Sequence, residues 1–563
     1  MLGLQWENSR KSQLELCYAM AGQRRIVAAC AYGPSASGYD DEKSSLNILL
    51  VLSGYQSLLK TYHKVVNQRD IFILTVDQRA FQRDVEKGWL GEFAADKLVA
   101  PYEPLINSEY LQRQEVALKK RIIWELLEAL VLEFPELSHE LVIKPEYFMY
   151  ETLMQRAKLF PPATYRFLNM LRSDLKTKNV EIMMKGYREA LKELSRESWI
   201  TLRGEQVKIT PKLVRTVKSR RLRIPVLLKS FQRAVWLNIL SVLPKMMSPL
   251  AYDEELYAKT HSEIAGNEDL TSQLEDPENY LLMPTPLGPV PLSDKTSIEE
   301  FVNKTVPDAR VSQVQIKQIG GVLNSVYMLT LQKDHEKQRV VVKKFKDWVG
   351  FKWFPLALWA LGTKSFAVLG RSRLEREYAL NQFLQSQGVS VPRILYVSPQ
   401  QSLVFQEFVE GENLVEIIKK IMTNEKEAEK ELALIKEVGK KIAEAHRLGV
   451  ALGDCKPENV IVTKEGKLYF VDLEQASRDG NQTWDIAEFL YYSGHYVSPL
   501  ASAHSAELIA KSFIEGYLKA EGKKETVKKA ASPRYTKVFS IFTQPHVILA
   551  ISNLCRKKGE QEG

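Results

Sequence analysis

The stretch Gly453-Asp454-Cys455-Lys456-Pro457-Glu458-Asn459 sets a carboxylate, an amine and a carboxamide in one polar loop, just after a helix ending near His446. Downstream, Leu468-Tyr469-Phe470-Val471-Asp472-Leu473-Glu474 reads as a strand that ends in a second aspartate. Upstream, Val340-Val341-Val342-Lys343 reads as a buried strand ending in lysine, and Leu374-Glu375-Arg376-Glu377 opens a helix that runs to about Gln387. Moving a phosphoryl group from ATP to a hydroxyl uses these groups. A lysine holds the phosphates and a helix carboxylate holds the lysine. An aspartate accepts the hydroxyl proton, while an asparagine and a second aspartate hold Mg2+. The expected roles are Lys343 on the phosphates, Glu377 on Lys343, Asp454 as base, and Asn459 and Asp472 on the metal. Lys344 competes with Lys343, but strand alternation points the two to opposite faces; Glu375 is the alternative to Glu377 as the helix carboxylate, and both could instead be solvated.

A second group of residues supports these. Gly320, Gly321, Asn324 and Ser325 lie between two strand-like runs, where backbone N–H groups would line phosphates. They do not form G-x-G-x-x-G, and a plain hairpin turn is the alternative. His446 is expected to hold the loop, and Cys455 to be a small packed side chain. Trp348–Gly370 is rich in aromatic residues and joins the lysine to the helix. It reads as core packing, with an exposed docking surface as the alternative.

Asp454 and Asn459 stand at the D-x-x-x-x-N spacing. With the lysine strand, the helix carboxylate and the strand ending in Asp472 in this order, the region resembles the protein-kinase-like superfamily. The resemblance is to its compact atypical members, the RIO kinases and the small kinase of the KEOPS complex, with lipopolysaccharide kinases and aminoglycoside phosphotransferases sharing much of the pattern. It implies a bilobal domain that uses ATP and Mg2+, with Asp454 and Lys456 as the catalytic pair. Asp-Leu-Glu stands where typical kinases have Asp-Phe-Gly, and Gly453 stands where they have arginine. The missing arginine disfavours activation-loop phosphorylation as a switch. Near the N-terminus, Gly33-Pro34-Ser35 followed by Ser44-Ser45-Leu46-Asn47 resembles a polymerase-β-type nucleotidyltransferase. Ser45 and Asn47 replace two of that family's three metal carboxylates and Asp70 stands at the third, so an inactive domain is expected.

The elements that must position these residues make an α+β multidomain chain. The expected divisions are a nucleotidyltransferase-like α/β domain over 1–105, a helical segment over 106–165, a winged-helix-like basic region over 166–245, an acidic proline-rich linker over 246–300, and the kinase-like domain with C-terminal helices over 301–563. Strands are expected at Leu46–Leu52 and Ile71–Val76, helices at Tyr110–Phe134 and Val180–Glu197, and a small hairpin around Gly204. The 563 residues are 45% hydrophobic and 26% charged, which excludes a mostly disordered chain. Four scattered cysteines exclude a disulfide framework and fit a reducing compartment. The N-terminal stretch has no signal-peptide pattern. The apolar runs 234–244 and 353–363 fall short of the roughly 20 residues that a membrane span needs.

The net charge of +9 is uneven, with no Asp or Glu from Gln206 to Tyr252 and a run of acids after it. The basic stretch 203–233 reads as a solvated face or as a polyanion-binding surface, for DNA or RNA or for peripheral contact with an anionic membrane. The expected function is an ATP- and Mg2+-dependent phosphotransferase of the cytoplasm, a serine/threonine protein kinase or ATPase. The alternatives are a small-molecule or lipopolysaccharide-type hydroxyl kinase and a non-enzymatic nucleotide-binding protein.

Overall fold

The computed structural model describes residues 2–40, 44–66, 69–159, 163–219, 273–305, 314–320, 324–333, 336–347, 367, 369–497 and 503–560. Gly321, residues 220–272 of the basic and acidic stretches, and residues 348–366 of the aromatic connection lie outside them. The chain is a mixed α/β protein in two compact units. The first comprises 1–133 and 142–282, the second 134–141 and 283–563.

The first unit is built on a five-stranded sheet whose central strands are nearly continuous Val, Ile and Leu, as strands covered on both faces must be. In chain order it holds α1 (Leu2–Ala21), β1 (Ile26–Tyr32), β2 (Leu46–Leu52), β3 (Leu59–Val66), β4 (Arg69–Asp77), α2 (Gln78–Lys87) and β5 (Tyr102–Ile106). The spatial order is β3-β4-β2-β1-β5, with β2 and β4 parallel and the other pairs antiparallel. Ile48, Leu50, Leu52 and Ile73 are completely buried. The register of Leu46 with Ile71 puts Asp70 beside Ser45. Asp70 accepts a 2.6 Å contact from His63 Nε2, and Asp40 pairs with Arg69 at 2.6 Å.

A long helix α3 (Ser108–Glu133) follows, then β6 (Val142–Ile143), α4 (Glu146–Leu159), α5 (Ala163–Met170), α6 (Lys176–Arg196), β7 (Ile200–Arg203), β8 (Gln206–Ile209) and α7 (Pro211–Ser219). The turn between β7 and β8 falls on Gly204, whose φ of 59° suits glycine. Lys212, one cation of the basic stretch, is engaged locally. Its ammonium lies 3.8 Å from the centroid of the Trp199 ring and donates to the carbonyl of Glu197.

Two stretches bear on the expected divisions. Residues 134–141, read from sequence as part of a helical segment that continues the front half, pack with the C-terminal unit. The proline-rich stretch read as a linker to 300 is folded from 273 onward. Asp294 accepts from Thr296 and from the Tyr396 hydroxyl, and Phe301 stacks on Phe405 at 4.0 Å between centroids. Asp294 and Phe301 follow the last proline of the stretch, Pro291, and their partners Tyr396 and Phe405 lie far along the chain, so composition alone hid these anchors.

This unit also holds β9 (Val290–Pro291), α8 (Ile298–Thr305), β10 (Val314–Gly320), β11 (Ser325–Lys333), β12 (Glu336–Lys344), α9 (Gly370–Ser386), β13 (Ile394–Ser398), β14 (Leu403–Glu407), α10 (Leu414–Thr423), α11 (Glu429–Arg447), β15 (Val460–Val462), β16 (Leu468–Phe470), α12 (Gln482–His495), α13 (His504–Lys519), and the helices Lys524–Ala530, Pro533–Phe539 and Pro545–Glu560. An antiparallel sheet in the order β10-β11-β12-β14-β13 makes one lobe, and the helices with the β15–β16 hairpin make the other. The helical lobe's core is the contiguous cluster around Leu414, Ile418, Ile442, Phe489, Phe513 and Tyr517. The backbones of α11 and α13 approach so closely that a Cβ at Gly516 would sit 1.8 Å from the carbonyl oxygen of Lys436.

Candidate active site

Lys343 is the penultimate residue of β12, in register with Val326 and Val404. Alternation leaves Lys344 exposed while Lys343 is buried. A buried ammonium needs partners. Lys343 Nζ donates to Glu377 Oε1 at 2.8 Å and to Asp472 Oδ1 at 3.0 Å. Burial disfavours its charge, but the charges of Asp472 and Glu377 outweigh this and raise its pKa above the ordinary lysine value. Asp472 shows the reciprocal balance. Burial works to raise it, and Lys343 together with Lys456 and Arg373 holds it below the ordinary carboxylate range. Gln406 donates to the same oxygen of Glu377 at 2.6 Å, which fixes that carboxylate from the sheet side.

Of the two competing helix carboxylates, Glu377 meets Lys343. Glu375 faces elsewhere, accepting the backbone N–H groups of Glu136 and Leu137 at 2.9 Å each. Burial, only partly countered by these donors, pushes Glu375 up to about 7.

Asp454, Lys456, Asn459 and Asp472 line one cleft, with Leu452 and Phe470 among its apolar walls. Lys456 Nζ lies 3.0 Å from Asp454 Oδ2. The side chains of Asp454 and Asp472 keep 18% and 27% of their exposure, so both remain open to a ligand. Asn459 donates its amide nitrogen to the Asp454 carbonyl at 2.9 Å, which turns its side-chain oxygen the other way. The Val471 N–H donates to the Asn459 carbonyl, bringing Asp472 next to Asn459. Asp472 is held at φ 70°, a left-handed conformation that costs a non-glycine residue on the order of 1 kcal/mol or more and is concentrated at functional sites. The strand expected to end in Asp472 stops at Phe470, and the chain turns there to present Asp472.

The loop carrying Asp454 is held from below by residues that the sequence reading did not single out. Asp485, fully buried on α12, accepts from Leu452 N at 2.6 Å, Gly453 N at 2.7 Å and His446 Nε2 at 3.0 Å. Glu488, about one turn later, accepts from Cys455 N at 2.7 Å. His446 reaches the loop through Asp485 and is braced by the Tyr517 hydroxyl at 2.8 Å. Cys455 is a buried free thiol. The available signal was a pair of carboxylates three apart in Asp485-Ile486-Ala487-Glu488, acids within an otherwise apolar helix.

In the glycine turn, Ser325 begins β11 and Gly320 ends β10. The Asn324 side chain is buried, donating to Glu474 Oε2 at 2.5 Å and accepting from Arg373 at 2.6 Å. Its carboxamide is thus engaged by Glu474 and Arg373.

The donor set fits Mg2+, which is bound by one or two protein oxygens with water and phosphate completing the shell. Asp472 and Asn459 supply two such oxygens. Among the described residues no cluster of three or more His, Cys, Asp or Glu would form an all-protein cage for a metal.

Residues 328–490 match the lipopolysaccharide kinase (Kdo/WaaP) family. A KEOPS complex subunit Bud32 from Pyrococcus abyssi is 32% identical over 111 residues, 20% of this chain and 48% of that protein. A probable serine/threonine-protein kinase, a BUD32 homolog from Archaeoglobus fulgidus, is 28% identical over 144 residues, 25% of this chain and 64% of that protein. A probable serine/threonine-protein kinase from Clostridium perfringens is 32% identical over 115 residues, 20% of this chain and 16% of that protein. The chain spans under two thirds of the length of each of these relatives. These matches make the C-terminal region similar to lipopolysaccharide kinases and to Bud32-type kinases, consistent with the atypical protein-kinase-like superfamily.

Proposed function

We propose that the protein is an ATP- and Mg2+-dependent phosphotransferase that acts on a serine or threonine hydroxyl. The observation that carries this reading is Lys343 bridging Glu377 and Asp472 at 2.8 and 3.0 Å in a unit whose Asp454 and Asn459 share a cleft with Asp472. Bound ATP with Mg2+ would supply the phosphoryl group and neutralise its charge. Lys343 orients phosphate oxygens, and Asp472 and Asn459 hold the metal. Asp454 accepts the acceptor hydroxyl's proton at its carboxylate. The Lys456 ammonium, kept protonated by Asp454 against the effect of burial, balances negative charge beside it. A general base is worth roughly 100- to 10,000-fold in rate. Asp454→Asn is therefore expected to keep nucleotide binding and lose transfer by about that factor, measured with γ-labelled ATP. Wild-type turnover in Asp454→Asn would end the assignment.

The match to lipopolysaccharide kinases favours a second reading, in which the acceptor is a sugar or other small-molecule hydroxyl. Label appearing on added protein, or instead in low-mass products, separates the two. One relative is a subunit of a complex, which supports a protein partner for this chain as well. No helix among the described residues is long and apolar enough to cross a membrane. The buried free thiols Cys17, Cys30, Cys455 and Cys555 support a reducing compartment such as the cytoplasm. The N-terminal sheet, with Asp70 beside Ser45 on the parallel β2–β4 pair, supports a nucleotidyltransferase-like fold without transfer activity. Metal-dependent pyrophosphate release that vanishes in Asp70→Ala would overturn that view. The exposed Arg203 and Arg215 support a phosphate-contacting surface. Salt-insensitive binding to duplex DNA, RNA and anionic vesicles alike would remove it.

A further inference from the structure

Arg373 is completely buried on α9, one helical turn before Glu377. One terminal nitrogen donates to both oxygens of Glu474 at 2.7 Å and to Asn324 Oδ1 at 2.6 Å; the other donates to the Lys346 carbonyl at 2.8 Å. Asn324 closes the ring by donating to Glu474 at 2.5 Å. The three elements joined here are those that Mg-ATP would touch. Asn324 ends the turn between β10 and β11, Lys346 follows Lys343, and Glu474 follows Asp472 by two residues. Glu377 and Arg373 lie on the same side of α9, since residues four apart in a helix share a face. The helix therefore grips the lysine with one residue and the metal aspartate's segment with the other.

Stability alone does not account for such an arrangement. A buried ion pair gains little over apolar side chains of similar volume, because desolvation offsets the attraction. What it does provide is a fixed geometry, since a guanidinium fork accepts its partners in few orientations. We propose that Arg373 is a positioning residue, which with Glu474 and Asn324 holds the start of β11 and Asp472 in register for a magnesium-bound nucleotide. Glu474, where typical kinases carry glycine, is its counter-charge. This rests on the phosphotransferase reading of the cleft.

The test compares Arg373→Met, Arg373→Lys and the double variant Arg373→Met/Glu474→Leu with wild type in the full chain. The readouts are the dissociation constant of a fluorescent ATP analogue in Mg2+ and in EDTA, with the melting temperature alongside. The single Met variant leaves Glu474 buried without its cation and is expected to melt lower. The double variant removes both charges and is expected to regain most of that loss. It is nevertheless expected to lose at least 10-fold of the affinity gained from Mg2+, while binding in EDTA changes less than 3-fold. Arg373→Lys keeps the charge without the fork and is expected to fall between. A folded double variant, or Arg373→Lys, with the wild-type gain from Mg2+ would show that the network only packs the lobe and would overturn the proposal. If wild type itself gains nothing from Mg2+, the phosphotransferase reading fails and the proposal fails with it. That outcome appears in wild type, before any variant is compared.

Discussion

Asp485→Asn perturbs the loop that carries Asp454 without replacing a residue that lines the cleft. The native carboxylate is fully buried and takes three donors, the N–H groups of Leu452 and Gly453 and the His446 ring. Gly453 has φ 77°, a left-handed turn that these bonds pin immediately before Asp454. Asparagine fits the space but has only one oxygen. Its amide nitrogen then confronts one of the donors, leaving at least one buried N–H without an acceptor. A hydrogen bond to a charged group contributes about 1.5–3 kcal/mol, and an unmet buried donor costs about 1–3 kcal/mol. A loss of about 2–4 kcal/mol is expected in the transition of the C-terminal unit. At about 2–4 °C per kcal/mol for a domain of this size class, the melting point should fall by roughly 4–16 °C. Urea and thermal unfolding of the full chain measure this. Turnover at a temperature well below both melting points should fall too, because Asp454 is no longer held. A variant within about 0.5 kcal/mol of wild type with unchanged turnover would refute the view that Asp485 organises the loop.

Two further perturbations probe the rest of the unit. Gly516→Ala should drive α13 off α11, because the added Cβ would lie 1.8 Å from the Lys436 carbonyl, and overpacking of this kind costs about 1–3 kcal/mol or more; an unchanged urea midpoint would contradict the close approach. Glu375 is held near 7 in the folded chain against an ordinary 4.5, first by burial, so the folded state keeps a proton that the unfolded state gives up. Stability is therefore expected to fall as pH rises from about 4.5 through about 7, by about 3 kcal/mol in all, and to level off above. Glu375→Gln, which keeps the oxygen that accepts from Glu136 and Leu137, should abolish that fall in urea titrations across pH. An identical pH dependence in wild type and Glu375→Gln would contradict it.

Local pattern made much of this chain legible. The Ile, Leu and Val runs of β2 and β4 and the helical periodicity of α3 appear within a residue or two of their expected bounds, because burial on a sheet face or a helix stripe imposes its period directly on the sequence. The order and spacing of Lys343, Glu377, Asp454, Asn459 and Asp472 are what point to the proposed phosphoryl transfer, a chemistry that admits few residue types in each role. Only the tertiary structure decided between Glu375 and Glu377, as both stand on the same turn of α9 and the choice depends on what each meets across the fold. It alone brought Arg373 to Glu474 and Asp485 to Gly453, contacts over long sequence separations that leave no local period. The folding of 273–300 and the placement of 134–141 in the C-terminal unit were hidden for the same reason. Periodicity reports which face of an element is buried, whereas the partner that buries it is selected by chain segments hundreds of residues away.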